Sequence, residues 1–475
     1  MLGRNILAVY PHRRRSSEVR FIPPIGLEYV LAAVRDLVDN VTIVDMRFET
    51  DDDLARLVAA KPDSVCISLN WKPSNPERDV VPEFDLINHL PADLFTVVGG
   101  RWATLNVETV FAECPHVDVV VLGDGEETLR ELVQSTSPAD VAGLAWRDDT
   151  GAVRRTAPRP FAPLSETVYP LRGLRRHVYT ASAGGADTGI TVDTVLSSHG
   201  CPFNCKFCTC NLDWMGRRRP WQPRSPESVV AELRTIDAEI VFFADNNFCV
   251  DMDRVGKICD LLLREKIRKT FAVEARIEIA RRPDVLAKMA RAGFRMIMFG
   301  IESACDASLE LLNKGFTTAD VREALAVLRP YPFVLGAFFI IGNIGEDRDD
   351  MLRMSRFARE LGIDFISLSY LRADPGSALE EIVRGTPGYH IVPGPKPRVY
   401  SDRYSFRDLR RIKSAMVRDF YYHPHMLRSM RRVLAAGFLK GRHVGCVAHS
   451  AAVLALRRLL PATLARRLSP PGGRA

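Results

Sequence analysis

Five short, uniformly apolar runs punctuate the first 135 residues: ILAVYP (6–11), VTIVDM (41–46), SVCISL (64–69), FTVVGG (95–100) and VDVVVLG (117–123). Between them lie amphipathic helical patterns such as GLEYVLAAVRDLV and DDLARLVAAK. A strand that is apolar on both faces has to be covered on both faces, so this alternation demands a parallel sheet clad in helices. The expected α/β fold opens with a Rossmann-like, doubly wound domain, whose ligands would sit beyond the carboxyl ends of its strands. A hairpin, GLAWRD and AVRRT around DDTG, should follow. The Pro- and Gly-punctuated stretch 157–190 reads as a linker. The alternation then resumes with TVLSS (194–198), EIVFFAD (239–245), TFAVEARI (270–277), RMIMFGIES (295–303), VLGAFFIIG (334–342) and DFISLSYL (364–371). Six β/α units in about 180 residues predict a partial, TIM-like (β/α)6 barrel with its active site at the strand carboxyl ends. Beyond residue 385 the pattern becomes loops and basic amphipathic helices. The expected organisation is a first domain over 1–140, hairpin and linker over 141–190, barrel over 191–385 and a helical C-terminal region over 386–475.

A chain of 475 residues is too long for one hydrophobic core. The amino terminus, MLGRNILAVYPHRRR, puts a short apolar run ahead of its basic cluster, the reverse of a secretory signal. Uncharged runs such as HVGCVAHSAAVLAL (443–456) fall short of the roughly 18–20 residues that cross a bilayer. The expected location is the cytoplasm, where the ten cysteines stay reduced and a cysteine cluster points to metal or redox chemistry. The net charge of +7 is mild, and is most lopsided at HRRRS and in RRVLAAGFLKGR, LRRLL and LARRL. Those stretches read either as a solvated basic face or as a surface for a membrane or an acidic partner. No aromatic platform or base-reading helix marks a nucleic-acid module, so no nucleic-acid partner is expected.

The stretch SSHGCPFNCKFCTC (197–210) places Cys201, Cys205 and Cys208 just past the first strand of the second array, with Cys210 two residues on. Thiolates in one tight loop hold a zinc ion or an iron–sulfur cluster. A structural zinc wants four closed ligands, often as two separated C-x2-C pairs; no second pair exists, and a C-x-C closure through Cys210 would strain the loop. Three thiolates on a four-iron cluster leave one iron open to a substrate or cofactor.

GCPFNCKFC resembles the cluster loop of radical S-adenosylmethionine (SAM) enzymes, whose signature is C-x3-C-x-aromatic-C, with Phe207 at the aromatic position. The resemblance implies a [4Fe–4S] cluster on Cys201, Cys205 and Cys208, whose fourth iron chelates SAM. One electron from a flavodoxin- or ferredoxin-type reductant then yields a 5′-deoxyadenosyl radical. It places Asp245 and Asn246 of FFADNNF at the SAM amino group, in place of the family's glycine-rich form, and Arg276 of VEAR near the SAM carboxylate. Glu302 of FGIES falls where family members hold ribose hydroxyls, which suits a carboxylate able to accept two hydrogen bonds. FFIIGNIGE resembles a family strand whose backbone contacts adenine, with Gly336, Gly342 and Gly345 permitting close approach. Each of these is, taken alone, equally a barrel residue or a turn glycine.

VVGGRWAT followed by VDVVVLGDGEETL resembles the cobalamin-binding domain that precedes many radical SAM enzymes. It implies that Gly99, Gly100, Gly123, Gly125 and Glu126 lie against the corrin and its nucleotide tail. The plain alternative is a Rossmann-like domain that has kept its turns and lost its ligand. Many cobalamin proteins carry D-x-H-x-x-G after the first strand, the histidine ligating cobalt; the loop here, YPHRRR, keeps His12 but has Tyr10 and Arg15 in the other two positions. SLNWKPSN, with Asn70 and Trp71, is a candidate cover for the lower cobalt face, Trp71 being otherwise a core residue.

Cys66, Cys114, Cys259 and Cys446 read as ordinary buried thiols, while Cys249 and Cys305 follow barrel strands and are candidates to face the cavity. Tyr370, Arg372 and Asp374 are candidate substrate contacts, and His423 and His425 read as surface or capping histidines. The resemblance implies a cobalamin-dependent radical SAM C-methyltransferase acting on an unactivated carbon through methylcobalamin and the 5′-deoxyadenosyl radical. It extends to the anaerobic oxidative cyclase of bacteriochlorophyll synthesis, which leaves cyclisation or rearrangement without methyl transfer open; a non-catalytic sensor is the third possibility. The region with YYHPHMLRSMRRVL and LALRRLL resembles the tails of members acting on polycyclic lipids, tetrapyrroles and natural products. A small-molecule or lipid-like substrate is expected, and the basic-apolar mixture permits peripheral association with a membrane.

Overall fold

A computed structural model describes residues 2–12, 22–70, 82–183, 186–213, 215–392, 398–438 and 443. They divide into two compact units, one of residues up to 191 with Asp213 and Met215, the other the remainder from residue 192.

The first unit holds the parallel strands β1 (Asn5–Tyr10), β2 (Asn40–Asp45), β3 (Ser64–Ser68), β4 (Phe95–Gly99) and β5 (Val119–Val121), extended by an antiparallel hairpin, β6 (Leu144–Arg147) and β7 (Val153–Arg155). The order β2-β1-β3-β4-β5-β6-β7 is that of a doubly wound sheet with an added edge. Its helices are α1 (Ile25–Val34), α2 (Asp51–Ala59), α3 (Pro82–Asn88), α4 (Arg101–Leu105), α5 (Val107–Glu113) and α6 (Glu126–Gln134). The uniformly apolar strands have the anticipated cause: along β1, Leu7 and Val9 enter one core while Ile6, Ala8 and Tyr10 enter the other.

The stretch 157–190 is not the free linker its prolines and glycines suggest. Arg175 forks onto the buried Glu28 carboxylate at 2.6 and 2.7 Å. The Tyr179 hydroxyl donates to Asp45 at 2.8 Å, and Asp45 is also gripped by Arg47. The segment then forms strands β8 (Thr180–Ala183) and β9 (Ala186–Val195), so the expected first barrel strand, 194–198, is the tail of a longer one. Ser198–His199 (β10) instead pairs antiparallel with Gln222–Pro223 (β11).

From Val192, β9 pairs in parallel with β12 (Ile240–Phe243), followed in strict order by β13 (Thr270–Ala275), β14 (Phe294–Glu302), β15 (Val334–Ile341) and β16 (Phe365–Tyr370). The helices α7 (Pro226–Arg234), α8 (Met252–Arg264), α9 (Pro283–Ala292), α10 (Asp306–Leu311), α11 (Thr318–Leu328) and α12 (Arg348–Leu361) lie between them, giving an open six-stranded β/α array. Phe271, Val273, Ile297, Phe299, Leu335 and Ala337 join the helix-side core, so the alternate residues, among them Glu274, Met298, Gly300 and Gly336, face the concave side.

After α13 (Ala378–Gly385), the region expected as loops and helices contains a strand pair, β17 (Tyr389–Val392) and β18 (Arg398–Ser401), before α14 (Phe406–Tyr421) and α15 (His425–Ala435). Among the described residues no helix is long and apolar enough to cross a membrane.

Candidate active site

A buried polar lattice sets the path of the cysteine loop as it leaves β9. Asp245, 1% exposed just past β12, accepts hydrogen bonds from the Ser197 amide (3.1 Å), the Ser197 hydroxyl (2.8 Å) and the Ser198 hydroxyl. Burial pushes its carboxyl above the usual range, and the serine hydrogen bonds oppose that shift. Arg254 of α8 donates to the Ser197 carbonyl at 2.8 Å, and Arg224 donates to the Leu196 carbonyl at 3.1 Å while paired with buried Glu232. Such buried charges persist only when paired and hydrogen-bonded. Asp245, expected at the SAM amino group, therefore has both oxygens committed to the base of the loop. Asn246 is exposed, and its amide supports Asn211 (3.2 Å), which donates to the Cys201 carbonyl at 2.7 Å.

The loop itself turns at Gly200, with φ of +77°, where a Cβ would lie 2.1 Å from the Pro220 carbonyl oxygen. Cys201, Cys205 and Cys208 are half-buried and Cys210 is exposed. The thiols of Cys205 and Cys208 act electrostatically on Cys201, and burial pushes both Cys201 and Cys205 up. The loop is pinned by Lys206 N–H to Leu312 O (3.0 Å) and Leu379 N–H to Lys206 O (2.9 Å), and Phe207 packs on the apolar group of Leu312, Leu371 and Leu379.

Two cations stand over Cys205. Arg276 brings Nη1 to 3.7 Å from Sγ, held by Glu278 at 2.8 Å and stacked on Phe203 at 3.9 Å. Lys314, 4% exposed, lies 3.4 Å from Glu302. Both pull the Cys205 thiol down against its burial. Glu302 has φ of +74°, unusual for a residue with a side chain, and burial pushes its carboxyl up. Glu274 is pushed up to about 7 by burial and then by the Glu302 charge. Lys314, Glu274 and Phe203 escaped the sequence reading. The lysine of LLNKGF carries no sign of burial, since lysines are almost always exposed.

In the first unit, Gly100 has φ of +98°, and a Cβ there would strike the Leu69 carbonyl carbon at 2.8 Å. Gly123, at φ +85°, would place a Cβ in open space, and a Cβ at Gly99 would make ordinary contact with Val121. Glu126 opens α6. His12, two residues past β1, donates from Nδ1 to Glu83 at 3.3 Å and lies edge-on to Tyr10. Arg15, Trp71 and Cys446 lie outside the described residues.

Comparison with known proteins agrees with both halves. The model of the Radical SAM superfamily matches residues 195–358, and that of the B12 binding domain matches residues 19–133. The chain belongs to the cobalamin-binding radical SAM enzymes. An uncharacterized methyltransferase of Pyrococcus horikoshii is 29% identical over 374 residues, covering 76% of this chain and 78% of that protein. The anaerobic magnesium-protoporphyrin IX monomethyl ester cyclase of Synechocystis is 26% identical over 326 residues; the match takes in 65% of this chain and 62%, under two thirds, of the cyclase. The radical SAM methyltransferase TsrM from Kitasatospora setae, solved with cobalamin and a [4Fe-4S] cluster bound, has the same fold, with a TM-score of 0.69, 18% identity and 89% of each chain covered. Its domains give this radical SAM enzyme a [4Fe–4S] cluster, SAM and cobalamin as cofactors.

Several expected contacts of the enzyme have other duties. A Cβ at Gly125 would meet Val30 at 2.9 Å, so this glycine serves the packing of α6 on α1. At Gly336 a Cβ would meet Met298 at 2.2 Å and Phe365 at 2.4 Å, so these side chains fill the space expected for adenine. Gly342 (φ +84°) and Gly345 (φ +86°) are true turn glycines. His425, expected at the surface, is buried against Phe420 at 4.6 Å. Cys249 is closed off and its thiol pushed up by burial, whereas Cys305 is half-buried. Arg372 pairs with Asp374, and Lys413 stands 5.1 Å over the Tyr370 ring.

Proposed function

We propose that this enzyme is a cobalamin-dependent C-methyltransferase acting on an unactivated carbon of a small or lipid-like molecule, with an external one-electron reductant. The observation that carries the proposal is the three-thiol loop beside Arg276 and Lys314, in a chain that also has a B12-binding domain. The methyltransferase names of the P. horikoshii protein and of TsrM favour this outcome.

The residues fit the implied groups. Three half-buried thiols in one loop, two of them near enough to act electrostatically on Cys201, suit a cluster, whose corner irons spread their ligands wider than one ion does. Among the described residues no three His, Cys, Asp or Glu converge closely enough for a single ion. In this reading Cys201, Cys205 and Cys208 hold the cluster, which supplies one electron for cleavage of the SAM sulfonium. Asp245 sets the loop from beneath and Phe207 anchors it from the side. Arg276 and Lys314 offset the charge of the thiolates, a lever on cluster potential. Asn246, Arg276, Glu302 and the turn at Gly342 form the SAM-binding surface. The open side of Gly123, with Gly99, Gly100 and Glu126, takes the corrin and its tail. We take residues 1–140 as the cobalamin domain and 191–385 as the barrel.

Anaerobic reconstitution with iron, sulfide and cobalamin, then SAM and reductant, should release 5′-deoxyadenosine. Cys205→Ala should abolish that release, and undiminished release would defeat the ligand assignment. The cyclase likeness supports a second outcome, and product mass separates the two: a gained methyl group against a change in hydrogen and oxygen alone. The face of α15 that exposes Leu427, Met430 and Leu434 beside Arg428 and Arg431 supports docking on an anionic membrane. Flotation with anionic vesicles that left the protein wholly unbound would remove that part of the proposal.

A further inference from the structure

His12 is the remnant of a motif that the sequence breaks on both sides, and the structure shows what replaces the missing carboxylate. Glu83, 2% exposed in the first turn of α3, accepts from His12 Nδ1 at 3.3 Å. A carboxylate only accepts, so Nδ1 carries a proton, and in the neutral ring Nε2 is then the nitrogen with the lone pair. That Nε2 is enclosed and has no hydrogen-bond partner among the described residues. A half-buried imidazole held by a carboxylate on one nitrogen and left without a hydrogen-bond partner on the other is the arrangement of a metal-ligating histidine and its orienting partner. Tyr10, the residue in the motif's aspartate position, is engaged elsewhere, with Arg47 at 4.5 Å over its ring.

The pair is coupled to the glycine turns at the carboxyl edge of the sheet. Phe84, next to Glu83 in α3, packs on Trp102 at 5.7 Å. Trp102 follows Gly100 by two residues, and its amide bonds the Leu69 carbonyl at 2.9 Å. The Trp102 indole N–H is a second buried group with no partner among the described residues. One orphaned nitrogen on the loop after β1 and one in α4, just past the Gly100 turn, are thus linked through adjacent residues of α3.

We propose that His12 Nε2 is the lower-face ligand of the cobalt, and that Glu83 is the positioning residue that fixes its tautomer and direction. This rests on the reading of the first unit as a cobalamin site. The position would otherwise be held by water or by the cofactor's own base.

The test is electron paramagnetic resonance of the cobalamin-loaded full-length enzyme, reduced to the cob(II)alamin state, without substrate or turnover. Coordination by one 14N splits each high-field cobalt line into a triplet. In protein labelled with 15N-histidine we expect doublets, and in His12→Gln we expect neither. Added 15N-imidazole should restore the doublet to His12→Ala. Glu83→Ala should lower the doublet fraction, since losing an orienting partner weakens a metal-bound histidine by about 10–100-fold. A triplet that persists after labelling assigns the cofactor's own base, and an unsplit spectrum assigns water or nothing; either overturns the assignment while leaving cobalamin binding intact. An enzyme that retains no cobalamin overturns the parent reading and this one with it. The labelled wild-type protein decides between these outcomes even where a variant folds poorly.

Discussion

Asp245 offers the sharpest separation between a residue that holds SAM and one that holds the loop beneath it. Asp245→Asn keeps the shape but replaces one carboxylate oxygen with an NH2 group. The remaining oxygen can still serve the Ser197 and Ser198 hydroxyls, which both bond Oδ1 in the native arrangement. The NH2 group then faces the Ser197 amide, which donated to Oδ2 at 3.1 Å, so a buried donor meets a donor. An orphaned buried donor costs about 1–3 kcal/mol, and losing charge assistance from two further hydrogen bonds costs about 1 kcal/mol more each. The variant is also spared the burial of a charge, which offsets part of this. A net loss of about 3 kcal/mol is expected, or roughly 6–12 °C in the melting of a unit of this size. Thermal melting of the anaerobic protein, with iron and sulfide content measured in parallel, should show lower stability and lower cluster content. The fraction that does carry a cluster should bind a SAM analogue with unchanged affinity. The opposite pattern, full cluster content and an unshifted melt but at least tenfold weaker SAM-analogue binding, would make Asp245 a SAM contact and refute the loop-support argument.

Arg276→Met removes a cation 3.7 Å from the Cys205 sulfur, and the reduced, more negative cluster loses more by it. The midpoint potential should fall by on the order of 50 mV in an EPR-monitored titration, roughly 60 mV being tenfold for one electron. Gly300→Ala would set a Cβ 2.7 Å from Glu302 Oε1 and 3.2 Å from Lys314 Nζ. The barrel should survive, with about 1–3 kcal/mol lost to overpacking, while SAM-analogue affinity drops in equilibrium binding. Glu274 is raised from 4.5 to about 7, so the folded apoprotein holds its proton more tightly than the unfolded chain. Stability is therefore lost as pH rises from about 4.5 to about 7, by about 3 kcal/mol at most. Glu274→Gln should flatten that part of the pH dependence of the urea midpoint, and an unchanged slope would count against the burial of this charge.

The two sheets were legible because their strands are apolar on both faces, and nothing else in the chain competes with that pattern. The strand ends were legible where a turn glycine stands, as at Gly100, Gly123 and Gly342. What stayed hidden depends on partners far away in sequence. The strap over 170–180 is held by Arg175 on Glu28, 147 residues apart, and no local composition encodes such a pair. The strand pair β17–β18 was missed because each strand has only four residues and Val399 alone of them is buried, too little apolar pattern to stand out in the sequence. The carboxylate that orients His12 comes from Glu83, 71 residues on, so a motif read along the chain reported a loss where the fold had made a substitution.

The same limit explains why glycines misled in one direction only. Gly123, Gly125 and Gly336 look alike in a motif, yet the space around each differs. A methyl group at Gly123 would meet nothing within 4 Å, at Gly125 it would strike a neighbouring helix, and at Gly336 it would strike Met298 and Phe365 across the sheet. Only the first leaves a surface on which a ligand's edge can rest against bare backbone. The other two are required by the protein's own packing, and would be required with no ligand at all. Charged residues divide in the same way: Asp245 and Arg224 are buried to shape the loop, whereas Arg276, Lys314 and Glu302 are buried around the thiols. Electrostatic cost alone cannot distinguish the two groups, because each is paired. Position does: the first group bonds backbone and hydroxyls beneath residues 196–198, and the second acts on the Cys205 sulfur, where a change of charge would be felt by the chemistry.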